Sequence, residues 1–416
     1  MTCIRLLTCL SMAALGWLLA AHEPEAQPAR KTLKIYLDAD RSNHFESARS
    51  IEMGLRTAID EVDSVLQGYQ VEIVPLDHRG NAVRSKRNMQ TFLEDPDALV
   101  LFAGLHSPPL IKHRDFINGE GILTLVPWAA GGPITRHDTE DNWIFRLSID
   151  DSKAGYRIAD FAIEELGCKA PHLLLEETGW GKSNDKTMST AIEKKLGTKP
   201  LAAWFGWGLD INSARIKLRD IVNGGADCIL MVANALEGSV FANAMASLDA
   251  GHRIPLVSHW GITGGKFHET VPHATRSKLD LYFIQTCFSF VSSPKTDHST
   301  AVLKRAMRLF PDEIGSSRDL PAPTGFIHAY DLGLILREAL QHVELTGAPA
   351  ENRAKLRSAL QNIGAPIHGL VRTYAPPFRP YLTAAPDAHE ALDLNDFCMG
   401  TFGENDEIRL HLDEAS

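Results

Sequence analysis

The side chains with most to offer chemically are tryptophans and a few polar groups that follow short apolar runs. Seven tryptophans occur in 416 residues. Trp128, Trp180, Trp207 and Trp260 each stand at or just beyond the end of a β-rich stretch. An indole in such a place offers flat apolar area and one N–H donor, suited to stacking on an aromatic ring, a sugar or a cation. His44, His106, Ser107, Asn234 and His259 occupy similar positions. No G-x-S-x-G elbow, phosphate-binding glycine loop or H-E-x-x-H pair is present, and GPITRHD and GGKFHE do not make a dinucleotide fingerprint. An enzyme is therefore not expected, and no cofactor is expected. His252, His259, His268 and His273 crowd one stretch, but no pair stands at helical i,i+4 spacing with a carboxylate, so spacing predicts no metal site.

The elements that would hold these residues alternate along the chain. LKIYLDA (33–39) is a short β-rich run, and 48–66 places Ile51, Leu55, Ile59, Val62 and Leu66 on one helical face. A strand (69–77), a helix (85–95), a buried strand (98–104), a helix (108–118) and a strand (121–127) follow. The pattern restarts with a helix over 154–166. Strands at 172–177, 200–207, 226–234 and 255–261 then alternate with helices at 185–196, 213–222 and 239–250. An extended run (279–291), helices at 301–309, 326–343 and 354–363, and a β-like tail (394–412) complete the chain. Two βα series of equal size predict an α/β protein of two doubly wound parallel-sheet lobes. Ligands bind such sheets beyond the carboxyl ends of the strands, so two facing lobes would share one cleft that closes by a hinge.

Residues 1–26 read as a secretory signal peptide: Arg5 precedes an apolar run from Leu6 to Ala21, with Ala20, Ala21 and Ala26 near the end. That predicts export to the periplasm. The net charge of −10 has mixed signs and no basic face, which argues against nucleic acid or anionic lipid as a partner. Cys168, Cys228, Cys287 and Cys398 lie beyond the leader without metal-type spacing, so disulfides and free thiols are both open. Cys168 and Cys228 precede the first and third strands of the second series. Those strands are neighbours in a flavodoxin-like order, which would bring the two thiols close.

The stretch GEGILTLVPWAAGGPITRHDTEDNWIFRLSIDD (119–151), with LDHRGN (76–81), FAGLHS (102–107), TGWGKS (178–183), GLDINSARIKLRD (208–220) and HAYDLGLILREAL (328–340), stands in an order that resembles type I periplasmic binding proteins. The resemblance is to the branched-chain amino-acid class of ABC-transporter receptors. It implies a lobe of 27–147 with 288–395, a second of 148–287 with 396–416, and a multi-strand hinge. It implies an inner-membrane ABC permease as partner, with a sensor protein as the alternative, and a monomeric receptor. The family's ligand serine corresponds to Ser107, its small residue to Trp128, its threonine to Ala130 and its second-lobe aromatic to Trp180. Its acid falls at SHWG (258–261), where His259 and Trp260 stand instead. A charged amine would lose its counter-charge in a dry cleft, at large cost.

The expected ligand is therefore a small, largely apolar or aromatic molecule with a polar handle rather than a plain α-amino acid. Its site is expected among His44, His106, Ser107, Trp128, Ala129, Ala130, Trp180, Trp207, Asn234, His259 and Trp260. Backbone N–H groups at helix starts after Gly104 and Ala129 are candidate cradles for a carboxylate. Trp128→Ala is expected to weaken binding at least about tenfold.

Overall fold

A computed structural model describes residues 31–411. The signal-peptide reading of 1–26 lies outside the described residues. Among the described residues no helix is long and apolar enough to cross a membrane.

The first βα series builds a six-stranded sheet in the order β2-β3-β1-β4-β5-β6. Its strands are β1 (Thr32–Ala39), β2 (Val65–Leu66), β3 (Tyr69–Asp77), β4 (Ala98–Ala103), β5 (Thr124–Val126) and β6 (Ile144–Arg146). All pairings are parallel except the short β2–β3 hairpin. β4 is buried at every position, as a parallel strand covered on both faces must be.

The second series builds a seven-stranded sheet. It holds β7 (Pro171–Glu176), β8 (Ala202–Phe205), β9 (Cys228–Val232), β10 (Leu256–Ser258) and β11 (Leu281–Thr286), then β14 (Phe397–Phe402) and β15 (Ile408–His411). A separate hairpin of β12 (Ile367–His368) and β13 (Thr373–Tyr374) lies between them in sequence. The order β15-β14-β11-β10-β9-β7-β8 is parallel through β11, and the last two strands run antiparallel. The parallel part of each sheet has the doubly wound order in which the first strand sits between the second and the third. The order reverses between β1 and β4 in one sheet and between β7 and β9 in the other. Crevices open at those two places.

One expectation changes in detail. The extended run at 279–291 is not a crossing strand; only Leu281–Thr286 is extended, as a member of the second sheet. The phenylalanine-arginine strand Ile144–Arg146, read from the family resemblance as passing toward the second series, pairs with β5 at the end of the first sheet. The loop and hairpin region at 364–393 carried no periodicity and was not foreseen.

The helices Phe45–Asp60 and Pro323–Gln341 pack closely together, although more than 260 residues separate them in sequence. Small residues permit that approach. A Cβ on Gly54 would lie 2.2 Å from the Phe326 carbonyl oxygen, and one on Gly333 would lie 2.7 Å from the Ala58 Cβ.

At the crossing, Arg146 is wholly buried. Its guanidinium donates to the Gly131 carbonyl (2.8 Å) and to Thr135 Oγ1 (2.9 Å), and pairs with Asp150 (2.9 Å) and Glu390 (3.3 Å). Arg136 and Lys153 also reach Glu390. Three cations thus surround two buried carboxylates, so both acids are paired where the chain passes from one sheet to the other. The four cysteines form disulfides Cys168–Cys228 and Cys287–Cys398. The first follows from β7 lying beside β9; the second staples the end of β11 to β14.

Candidate functional site

The loops that leave both crevices meet at one cavity of about 530 Å³. From the first sheet come Asp40, Asn43 and His44 after β1, Arg79 and Gly80 after β3, and His106 after β4. From the second come Trp207, Gly208 and Leu209 after β8, Asn234 after β9, and Leu236, Glu237, Ser239 and Val240 from the helix Ala235–Ala246. The walls are therefore divided. Trp207, Leu209, Leu236 and Val240 supply apolar surface, while the first-sheet side is polar.

Asp40 organises the polar side. Its carboxylate accepts from the backbone N–H groups of Ser42 and Asn43, from the Asn43 side chain, and lies 3.2 Å from His106 Nε2. Burial alone would raise this carboxyl. The hydrogen bonds from His106 and Asn43 outweigh burial and hold it below the usual carboxylate range. His44 begins the helix Phe45–Asp60 without capping it through its side chain. Its ring meets His106 edge to face at 4.9 Å. Burial, and then its proximity to His106, push His44 down to about 3, so its imidazole is neutral at pH 7. Trp207 is half exposed and tilts over His106 at 5.9 Å between centroids.

Of the residues singled out from sequence, His44, His106, Trp207 and Asn234 lie on this cavity. The others lie deeper. Ser107, Trp128, Ala130, Trp180 and Trp260 surround a space of only about 10 Å³, with Glu176 and Gly261. That is about the room of a single water.

The tryptophans pack on one another at this junction, and the Trp128 Nε1 is buried there without a hydrogen-bond partner among the described residues. Trp128 is 1 % exposed and meets Trp260 at 5.9 Å; Trp260 in turn packs on His328 at 5.1 Å. Trp180 stands edge-on to His259 at 5.0 Å. Gly261 permits this, because a Cβ there would sit 2.5 Å from the Ala233 carbonyl oxygen and 2.8 Å from the Trp180 ring.

Several groups beside the expected ligand position already have partners within the protein. Ser107 Oγ accepts from the Gly131 N–H at 3.0 Å. The Ala130 carbonyl accepts from the Asp151 N–H, and the Ala129 carbonyl from Arg146. After Ala129 only a short turn forms, and its Gly132 N–H is taken by Ser183, so the carboxylate cradle expected there is closed.

Four acids were missed. Asp151 accepts from Trp180 Nε1 and lies 2.9 Å from His259 Nε2, so the position opposite SHWG does hold a carboxylate, supplied by a distant segment. Glu176, at the end of β7, accepts from Asn234 and Thr178, and burial pushes its carboxyl up. Asp40 and Glu237 border the cavity itself. Asp40 and Glu176 follow or end a strand at a crevice, which is the one signal by which they were findable. No histidine spacing announced the Asp40–His44–His106 cluster either, because its members come from two loops.

Residues 38–379 match the family model described as periplasmic binding protein, and the chain belongs to that family. Among solved structures it is similar to a type 1 periplasmic binding protein from Bordetella pertussis Tohama I (17% identity, TM-score 0.77, covering 92% of this chain and 100% of that one). It is also similar to an ABC-transporter solute-binding protein from R. palustris solved with benzoate (18%, TM-score 0.72, 91% and 95%). A leucine-binding protein from Thermotoga maritima is a third (15%, TM-score 0.71, 92% and 98%). A search of curated protein sequences finds no match. The family and these neighbours are periplasmic or solute-binding proteins by description.

Proposed function

We propose that the chain is a periplasmic receptor that captures a small aromatic molecule carrying a polar handle, closes around it by hinge motion, and delivers it to an inner-membrane ABC permease. The observation that carries this reading is the cavity at the carboxyl ends of both sheets, with a half-exposed Trp207 and aliphatic side chains facing a polar wall. Its volume of about 530 Å³ falls in the range of small-ligand sites. Trp207 would stack on the ring, and His106, Asn234 or Arg79 would meet the handle.

An α-amino acid is disfavoured at the family's usual position, where three tryptophans leave about 10 Å³. Structures similar to this chain have been solved with benzoate and with 4-hydroxybenzoate, which supports an aromatic ligand. Residues 1–26 would serve as the export signal. The two lobes would comprise 27–147 with 288–395 and 148–287 with 396–416.

The test is thermal shift followed by calorimetry on the mature protein. A panel of aromatic acids is compared with leucine and isoleucine. Stabilisation by aromatic acids and none by the aliphatic amino acids supports the reading; the reverse pattern overturns it. Cell fractionation and N-terminal sequencing of the mature chain test export.

A further inference from the structure

Asp40, His44 and His106 each offer one ligand atom, and these atoms all lie within 4.8 Å of one another. All three residues are buried and all three border the cleft cavity. We propose that they form a binding site for a divalent transition-metal ion of the zinc or nickel class, with its remaining coordination positions turned into the cavity. This goes beyond the organic-ligand reading and does not depend on it.

Three observations carry the proposal. The first is donor chemistry. Two imidazoles and one carboxylate form a set that suits borderline divalent ions, and three protein donors leave an open position for another ligand. The second is spacing. An ion with bonds of about 2.0–2.1 Å in a tetrahedron sets neighbouring donors about 3.3 Å apart. His106 Nε2 and Asp40 Oδ2 are already 3.2 Å apart. A ring nitrogen of His44 lies within 4.8 Å of both. The third is an unmet donor or acceptor. His44 is 4 % exposed, and its Nδ1 has no hydrogen-bond partner among the described residues. Buried polar atoms are normally satisfied, so one left over calls for a reason. The Asp40–His106 contact alone explains those two residues as a tie between loops; it does not explain His44.

The surroundings fit the role. The N–H groups of Ser42 and Asn43 and the Asn43 amide fix the orientation of Asp40, as outer-shell partners of ligating carboxylates do. Glu237 adds negative charge across the cavity, where its Oε1 accepts from the Gly208 N–H. Arg79, the cation on the cavity wall, is engaged by Asp77. The other cysteine- or histidine-containing cluster among the described residues, Cys168–Asp227–Cys228, has its two sulfurs joined in a disulfide and cannot ligate in that state.

The experiment uses the untagged exported chain, stripped with EDTA. Zinc chloride and nickel chloride are titrated by calorimetry, and cobalt(II) is used to read coordination from its visible absorption. The expected result is one ion per chain, with a rise in thermal midpoint. His44→Asn should weaken the metal by at least about tenfold, and its metal-free midpoint, measured alongside, separates loss of a ligand from loss of the packing on His106. Asp40→Asn should weaken it as much; a metal-free midpoint measured alongside shows whether its loop still folds. Absence of stoichiometric binding in the wild type overturns the proposal. So does a His44→Asn chain that binds with wild-type affinity, which would place the ion on other histidines. No organic molecule enters this titration, so its failure leaves the aromatic-ligand reading standing, and the converse holds.

Discussion

Replacing Trp207 and Trp128 separately by alanine should give opposite outcomes. Trp207 is 50 % exposed on the cavity wall. A tryptophan buries about 150–250 Å² when fully covered, so a stacked ligand removes roughly 100 Å² of its ring from water. At about 25 cal/mol per Å² that is about 2.5 kcal/mol, and ring–ring geometry adds about 1 kcal/mol. Trp207→Ala should therefore weaken an aromatic ligand by about two to three orders of magnitude, with little change in stability. Trp128 has no such freedom. It is 1 % exposed, packed on Trp260 and against Gly325. Trp128→Ala should cost about 3–5 kcal/mol of folding free energy through the cavity it leaves. Affinity in the molecules that remain folded should stay nearly constant. This reverses the expectation from sequence, which gave Trp128 the contact with ligand. Calorimetry with the best aromatic acid from the panel and urea unfolding of each variant decide the matter. A Trp128→Ala protein of normal stability that has lost its ligand would refute the assignment, as would a Trp207→Ala protein of unchanged affinity.

Three further predictions rest on single features. Asp38 is buried in β1 with only Ser85 and Asn88 as partners, and burial pushes its carboxyl up to about 7 against opposing hydrogen bonds from those two. The folded state then holds its proton from about pH 4, where the unfolded chain releases it, up to about pH 7, so its contribution to stability falls across that window. Asp38→Asn should remove this slope and gain up to about 4 kcal/mol above pH 8, measured by urea unfolding at a series of pH values. Cys287 and Cys398 close a loop with a sequence separation of 111 residues, so Cys398→Ser should cost about 2–4 kcal/mol in chemical unfolding, and reductant should add little further loss from that bond. Gly54→Ala forces a Cβ against the Phe326 carbonyl oxygen, and the helices Phe45–Asp60 and Pro323–Gln341 must separate; a loss of about 3 kcal/mol is expected, seen as a lower thermal midpoint.

Much of the architecture was legible because it rests on local patterns. Apolar runs such as 98–103 read as buried strands, and the restart of the βα series after residue 147 marked the second sheet. Even the Cys168–Cys228 bond was accessible, because a doubly wound order places β7 beside β9. Strand ends were recognisable too, and that drew attention to His44, His106, Trp207 and Asn234. The β12–β13 hairpin and the loop after it stayed hidden, since they carry neither a period of two nor one of 3.6.

The tryptophan-rich junction shows where sequence reasoning stopped. Composition and position put Trp128, Trp180 and Trp260 near the cleft, and they are there. Whether an indole faces a ligand or plugs a seam depends on the partners brought against it, here Gly261, Gly325, His328 and Asp151 from distant segments. The acids follow the same logic. Asp151 and Glu176 are ordinary carboxylates in sequence, and only the apposition of the two sheets buries them beside His259 and Asn234. The sequence by itself thus determined the βα order and the loops from which a site had to be built, because these follow from short-range periodicity and chain connectivity. The tertiary structure alone decided which of those loops leave room for a ligand and which close on themselves, because packing at a seam is a property of several segments at once.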